Sequence, residues 1–243
     1  IAIQDYVDRR IPLNLARRDA VALERALRGV TTLRESTILR LTDEPGSRDT
    51  TTLALIERSL STWLRSIPAG DRVFLTFSGH GLLGDSGELH LAVRDSILGE
   101  AEETALPISR LLDWTRLSQA SSVVLILDCC EAGLAIDEAR RLDQVARSHS
   151  VGPRLTIFAG CRRNEGCWEL PELGLSLFSH ALTRSLTSKS DRNGDGRLQF
   201  SELSDCVRVD VEQLTRRKSL QEQHPTLWAE AEESLMLPIS HQP

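Results

Sequence analysis

Two side chains have the chemistry of a nucleophile and a proton carrier, and both stand in the same kind of place. His80 follows the apolar run 73–77 and sits between Gly79 and Gly81. Cys130 follows the apolar run 123–127, after Asp128 and Cys129 and before Ala132 and Gly133. A cysteine attacks a carbonyl as its thiolate, and an adjacent imidazole can take its proton or steady its charge. The oxyanion that develops needs donors, and the backbone N–H groups of Gly81 and Cys130 are the candidates. Glycines beside reactive residues let a substrate approach the main chain closely. A lone cysteine more often fills a core, but two reactive types at two strand ends, each near glycine, argue for catalysis.

Such residues need rigid elements behind them. Apolar spacing predicts helices over 16–27, 49–65, 107–114, 175–186 and 200–217, with Asp and Thr capping the second and Pro107 in the first turn of the third. Strands are expected over 36–41, 71–77, 88–93, 121–127 and 154–159, with a final one within 227–239. The charged stretch 136–151 reads as an exposed loop or surface helix. Strands that are near-continuous apolar runs, alternating with helices, indicate an α/β fold whose mostly parallel sheet is covered on both faces. In such sheets functional groups gather beyond the carboxyl ends of the strands, where His80 and Cys130 fall.

The chain has 243 residues, 40% of them hydrophobic, which is ample for a sizeable core. A formal net charge of −6 is the wrong sign for a nucleic-acid-binding face, so no nucleic-acid partner is expected. No apolar run approaches the roughly 18 residues that span a bilayer, and residues 1–6 read as the end of a strand rather than a targeting segment. No membrane partner is expected either, and the lack of an initiating Met fits an excised domain. Five cysteines, two of them adjacent, make a poor disulfide framework and point to a reducing, cytoplasmic compartment. Cys161 and Cys167 lack the paired spacing of a zinc site.

Residues 77–81 (Phe-Ser-Gly-His-Gly) and 127–133 (Leu-Asp-Cys-Cys-Glu-Ala-Gly) resemble the His and Cys motifs of the caspase/metacaspase family of cysteine peptidases, most closely its bacterial branch. His80 lies 50 positions upstream of Cys130, the separation of the caspase signature. The resemblance extends over residues 1–6, 16–20, 158–165 and 174–186, and implies a three-layer α/β/α caspase-like fold forming one peptidase domain over 1–243. In that family the nucleophile is the second residue after the motif Asp. This makes Cys130 the nucleophile and Cys129 its structural neighbour, with swapped roles as the alternative. Glu131 and Ala132 stand where metacaspases commonly carry His-Ser, a departure that bears on the subgroup rather than on the pair.

The same resemblance implies a substrate. Metacaspases receive Arg or Lys in an acidic pocket, and the matching positions are Asp19, Ser78 and Asp128. Paired carboxylates can take a guanidinium bidentately. Alternatively, Asp19 is a helix-terminal acid and Asp128 only anchors its loop. Arg17 and Arg18 nearby leave the opposite specificity, cleavage after Asp, open. The expected activity is that of a cysteine endopeptidase acting on protein or peptide substrates in a signalling or stress/defence response. It would be made as a zymogen, with an activating protein or fused domain as a further partner. Arg140, Arg141 and Arg147 are candidate self-cleavage sites, or simply part of a solvated helix face. A non-catalytic caspase-like module that binds calcium or another protein is the competing reading.

A second motif lies near the C-terminus. Residues 191–202 place Asp191, Asn193 and Asp195 at positions 1, 3 and 5 of an EF-hand loop, the Arg197 carbonyl at 7 and Glu202 at 12, with Gly196 at the turn. The chemistry of the pair needs no cofactor, and Ca2+ is the one cation this loop suggests. A tight polar turn is the alternative.

Overall fold

The computed structural model describes all residues except 32, 34–36, 45–50, 147–151, 188–189, 231–235 and 239–243, with the backbone alone at 145–146 and 236–238. In chain order the elements are α1 (Ala16–Val30), α2 (Leu53–Ser66), β1 (Arg72–Ser78), β2 (Gly81–Leu83), β3 (Leu89–Leu91), α3 (Ala101–Thr104), β4 (Leu106–Pro107), α4 (Ile108–Arg116) and β5 (Ser122–Asp128). They continue with α5 (Leu134–Ala146), β6 (Arg154–Ala159), β7 (Glu169–Leu170), β8 (Leu175–Ser176), α6 (Leu177–Ser185), β9 (Arg197–Gln199), α7 (Phe200–Lys218), β10 (Thr226–Ala229) and β11 (Met236–Pro238).

The main sheet runs β1-β5-β6-β10. β1, β5 and β6 are parallel, and β10 closes the edge antiparallel to β6. β5 sits between two partners and all seven of its residues are buried, which explains its unbroken apolar sequence. Side chains alternate across a strand, so β5 feeds two cores. Val123, Leu125 and Leu127 pack on one face with Ile56, Leu60 and Leu64 of α2, Ile108, Leu111 and Leu112 of α4, and Ala135 and Ala139 of α5. Val124 and Ile126 pack on the other with Leu23 and Leu27 of α1, Phe178 and Leu182 of α6, and Leu203 and Val207 of α7. Each of these helices carries its apolar residues three and four apart, the spacing that makes a buried stripe. The fold is therefore a three-layer α/β/α sandwich. A small sheet β2-β3-β4 leads away from His80, and the His80 carbonyl accepts the Ala92 N–H at 2.9 Å.

Several boundaries differ from those expected. The strand expected over 36–41 is an isolated bridge: Ala2 lies between Thr42 and Ser78, bridged to both; residue 36 falls outside the described residues. The helix expected from 49 begins at Leu53, and 49–50 lie outside the described residues. Leu175 and Ser176 belong to β8 rather than to a helix, because Ser176 is the extended N-cap of α6 and its side chain accepts the Ser179 N–H. The final strand is two: β10 extends the main sheet, while β11 pairs with β9. The stretch from 136 is helical to 146 and buries Ile136 and Ala139, so it is a half-buried helix; 147–151 lie outside the described residues.

Candidate active site

The register of the central pair fixes where the chemistry sits. β1 and β5 run in parallel step from Arg72↔Ser122 to Ser78↔Asp128. His80 and Cys130 each lie two residues beyond that last rung, so both loops leave the sheet at the same edge. Side-chain parity does the rest. Ser78 shares the face of Phe74, and Asp128 that of Val124 and Ile126, and this face is covered by α1, α6 and α7.

The two loops are in contact. A Cβ added to Gly81 would lie 2.0 Å from the Cys130 carbonyl oxygen, so only glycine allows this approach. The His80 N–H donates to the Tyr6 hydroxyl at 2.9 Å, Tyr6 donates to the Ile3 carbonyl at 3.1 Å, and the two rings lie 5.3 Å apart. His80 Nε2 is buried and has no hydrogen-bond partner. Burial lowers the His80 pKa, and the main-chain carbonyls of Pro12 and Ile11 only partly oppose it. A cavity of about 290 Å3, lined by Tyr6, Ile11, Pro12 and Asn14 among others, opens beside this loop. A larger one of about 430 Å3, at the outer edge of β1, contains neither His80, Cys130 nor the acids described below.

Cys130 is partly exposed, whereas Cys129 is 1% exposed. Burial raises the Cys130 pKa, and the Cys167 backbone N–H is the largest opposing influence. Burial pushes the Cys129 thiol up much further. Among the described residues, the Cys130 N–H makes no main-chain hydrogen bond. The loop is braced from the side. Glu131 is left-handed at φ 60°, its N–H donates to the Glu165 carbonyl, and its carboxylate accepts the Asn164 N–H at 2.6 Å. Glu165 is held in turn by the N–H of His224 and by its ring Nδ1, at 2.9 and 2.7 Å. A Cβ on Gly133 would lie 2.7 Å from the Arg163 nitrogen, so here too two loops touch through a glycine. The Cys161 and Cys167 thiols both donate to the Cys129 carbonyl, at 3.2 and 3.0 Å.

Asp19, Ser78 and Asp128 come together under this edge. Asp19 is 2% and Asp128 6% exposed. Ser78 Oγ donates to Asp19 Oδ2 at 3.2 Å, and the Ser176 N–H to Asp19 Oδ1 at 2.8 Å. Asp128 Oδ2 accepts both the Ser176 and the Ser179 hydroxyls, the latter at 2.6 Å. Among the described residues no Arg or Lys pairs with either acid. Burial, then the charge of Asp128, pushes the Asp19 carboxyl up to about 8, and burial raises Asp128 as well. Glu169 adds a third acid nearby, its carboxylate accepting the Asn14 and Leu15 N–H groups ahead of α1. Arg17 turns away to the Asp43 carbonyl at 2.8 Å, and Arg18 is exposed.

The caspase domain family matches residues 1–235. The chain belongs to the caspase domain family.

Membership makes this caspase domain a relative of cysteine-type peptidases. A crystal structure of a protein from Geobacter sulfurreducens superposes with a TM-score of 0.60 at 14% identity, covering 94% of this chain and 90% of that one. At that identity the likeness shows the fold. No curated protein matches the chain.

The EF-hand-like loop of this caspase domain is ordered by its own hydrogen bonds. Asp191 accepts the Gly194 and Gly196 N–H groups, Asn193 Oδ1 that of Asp195, and Asp195 Oδ1 that of Arg197. Glu202 Oε1 accepts the Arg192 and Asn193 N–H groups and its Oε2 that of Gln199, completing a capping box for α7. Among the described residues no three His, Cys, Asp or Glu side chains are grouped closely enough to hold a metal. The acids accept N–H groups of their own loop, which orders the turn and leaves carboxylate lone pairs over; Asp191, Asn193, Asp195, the Arg197 carbonyl and Glu202 are the groups that would hold a calcium ion. No described helix is long and apolar enough to cross a membrane.

Tyr6, Glu169, Ser176, Ser179 and the Cys167 N–H were not singled out in the sequence. All five come from other segments than the two motifs. Ser176 had one readable signal, a polar residue three before Ser179 at the start of an apolar helix.

Proposed function

We propose that this caspase domain is a cysteine endopeptidase that cuts after Arg or Lys, with Cys130 as nucleophile and His80 as its proton carrier. The observation that supports the specificity is the buried pair Asp19 and Asp128, which no Arg or Lys joins among the described residues, beneath the edge that bears Cys130 and His80. Burying two carboxylates side by side is unfavourable unless a positive group joins them, and an arginine or lysine side chain supplies one. Arg17 is held at the Asp43 carbonyl rather than at these acids, which speaks against its receiving an Asp side chain there.

Burial raises the Cys130 thiol and lowers the His80 imidazole, so the resting pair is neutral. The thiol proton then passes to His80 as the sulfur attacks the carbonyl, rather than beforehand. The Cys130 N–H, with that of Gly81, takes the oxyanion, and the Cys167 N–H steadies the sulfur as charge develops. His80 gives its proton to the leaving amine, and a water activated by His80 then releases the acyl group. Cys129, sealed in the core, has no part in this.

Resemblance to the family supports a signalling or stress/defence role as a zymogen, and five free cysteines support a cytoplasmic setting. Arg140 and Arg141 lie within α5, where Arg141 pairs with Glu138, so processing there requires α5 to unwind first. No step is assigned to calcium. The test is hydrolysis of fluorogenic peptides ending in Arg, Lys or Asp by wild type and Cys130→Ala. Cleavage after Arg or Lys that disappears in the variant is the expected result. Cleavage after Asp keeps the pair and overturns the pocket; no difference between the two proteins overturns Cys130.

A further inference from the structure

We propose that Ser176 and Ser179 are positioning residues of the specificity pocket, holding Asp128 charged and oriented so that one of its oxygens is left for the substrate cation. The proposal rests on the reading of Asp19 and Asp128 as the site for Arg or Lys.

The two serines form a closed set of bonds with the acids. Ser176 spends its N–H on Asp19 Oδ1 at 2.8 Å and its hydroxyl proton on Asp128 Oδ2. Among the described residues it is thus the one that grips both carboxylates. Its oxygen also accepts the Ser179 N–H at 2.9 Å, the N-cap bond of α6, and Ser179 sends its own hydroxyl to the same Asp128 Oδ2 at 2.6 Å. All four residues are more than nine-tenths buried. Both hydroxyls converge on Oδ2, so among the described residues no side chain donates to Asp128 Oδ1. Asp19 is held on both sides, by Ser78 at Oδ2 and by Ser176 at Oδ1.

The choice of donor matters. A hydroxyl stabilises a carboxylate without cancelling its charge, whereas an arginine in the same place would fill the pocket. Burial drives both acids toward their protonated forms, and the serine bonds work against it. Removing a hydroxyl therefore gives the proton a larger share of Asp128, and a protonated acid attracts a guanidinium far less. The reacting bond lies elsewhere, so the loss should fall on substrate capture rather than on turnover. Hydrogen bonds to charged groups are worth about 10- to 100-fold in an equilibrium constant, and this sets the size of the effect.

Ser179→Ala is the cleaner variant, because Ser176 also caps α6. With an Arg peptide, Ser179→Ala should raise KM about 10- to 100-fold with kcat little changed. It should also move the ascending limb of the kcat/KM–pH profile upward, and Ser179→Thr, which keeps the hydroxyl, should restore both. A kcat loss at unchanged KM would overturn the proposal, since it would mark a general structural defect. So would an unchanged KM and pH limb in both Ser179→Ala and Ser176→Ala while wild type cuts after Arg; that outcome leaves the acidic pocket standing. Wild type cutting after Asp instead removes the reading on which the proposal rests. Should Ser179→Ala fail to fold, Ser176→Ala against Ser176→Thr makes the same comparison.

Discussion

Ser78 and Asp128 are Cα partners on the last rung of the parallel β1–β5 ladder, with both side chains turned toward α1 and α6. One relationship therefore bears on both proposed sites. The rung itself carries Ser78 and Asp128 on one face, and the chain two residues further along each strand delivers His80 and Cys130 at the same edge. On the proposed reading, recognition and chemistry share a single piece of backbone hydrogen bonding.

The first consequence concerns the adjacent thiols. Cys130→Ala should lower kcat/KM by at least about 10^3 while leaving Tm unchanged, as expected for a partly exposed nucleophile. Cys129→Ser should instead keep the pair working but lose about 1–3 kcal/mol of stability, because it puts a hydroxyl in a sealed apolar site. Peptide hydrolysis and urea melts on both variants separate the roles. The reverse pattern would make Cys129 the nucleophile.

Iodoacetamide gives an independent reading. Cys129 and Cys161 are buried and Cys167 donates to a carbonyl, so Cys130 should label ahead of these three, as followed by peptide mass mapping. Because its pKa is raised, its labelling should accelerate above pH 9 rather than plateau at neutral pH. A plateau near pH 7 would mean a preformed thiolate–imidazolium pair.

The pH dependence of specificity has a definite sign. Burial and the charge of Asp128 push the Asp19 carboxyl up to about 8, so if Asp19 receives the substrate cation, kcat/KM for an Arg peptide should climb through that region as the carboxyl gains charge. In the complex the guanidinium pulls the carboxyl back down, and kcat should lack this limb. Stability runs the other way. A carboxyl whose folded pKa lies above its unfolded value contributes fully below the unfolded pKa and loses that contribution as pH rises through the folded one. Urea midpoints should therefore fall as pH rises toward about 8, and Asp19→Asn should flatten that fall while abolishing the preference for Arg.

For the 191–202 loop, calcium held by Asp191, Asn193, Asp195 and Glu202 should raise Tm at millimolar calcium, since a ligand for the native state stabilises it. Glu202→Ala should cost about 1 kcal/mol through the lost capping box of α7 and should abolish any rise with calcium. An unchanged Tm in wild type would leave the loop a polar turn that caps α7.

Much of this was legible in the sequence because it is local. The runs at 71–77 and 121–127, the helical spacing of Leu23 and Leu27, and the two glycine-flanked motifs can each be read within a single segment. The meeting of Ser78 with Asp128 was implied by resemblance to the family alone, since the register that pairs them comes from the folded β1–β5 ladder. What stayed hidden depends on partners far away in the chain. Ser176 and Ser179 are ordinary serines until α6 is laid against β5. Tyr6 gains a role only when the segment 1–6 folds beneath His80. β9 and β11 are three residues each, too short to carry a period, and exist because they pair with each other.

The contact between Gly81 and the Cys130 carbonyl has a mechanical consequence. With no side chain between them, the histidine and cysteine loops cannot slide past one another without parting main chain from main chain, so they behave as one body bolted to the sheet. Any rearrangement that changes access to that body would then act on the walls around it: the segment 4–14 that carries Tyr6 and the segment 161–176 that carries Cys167, Glu169 and Ser176.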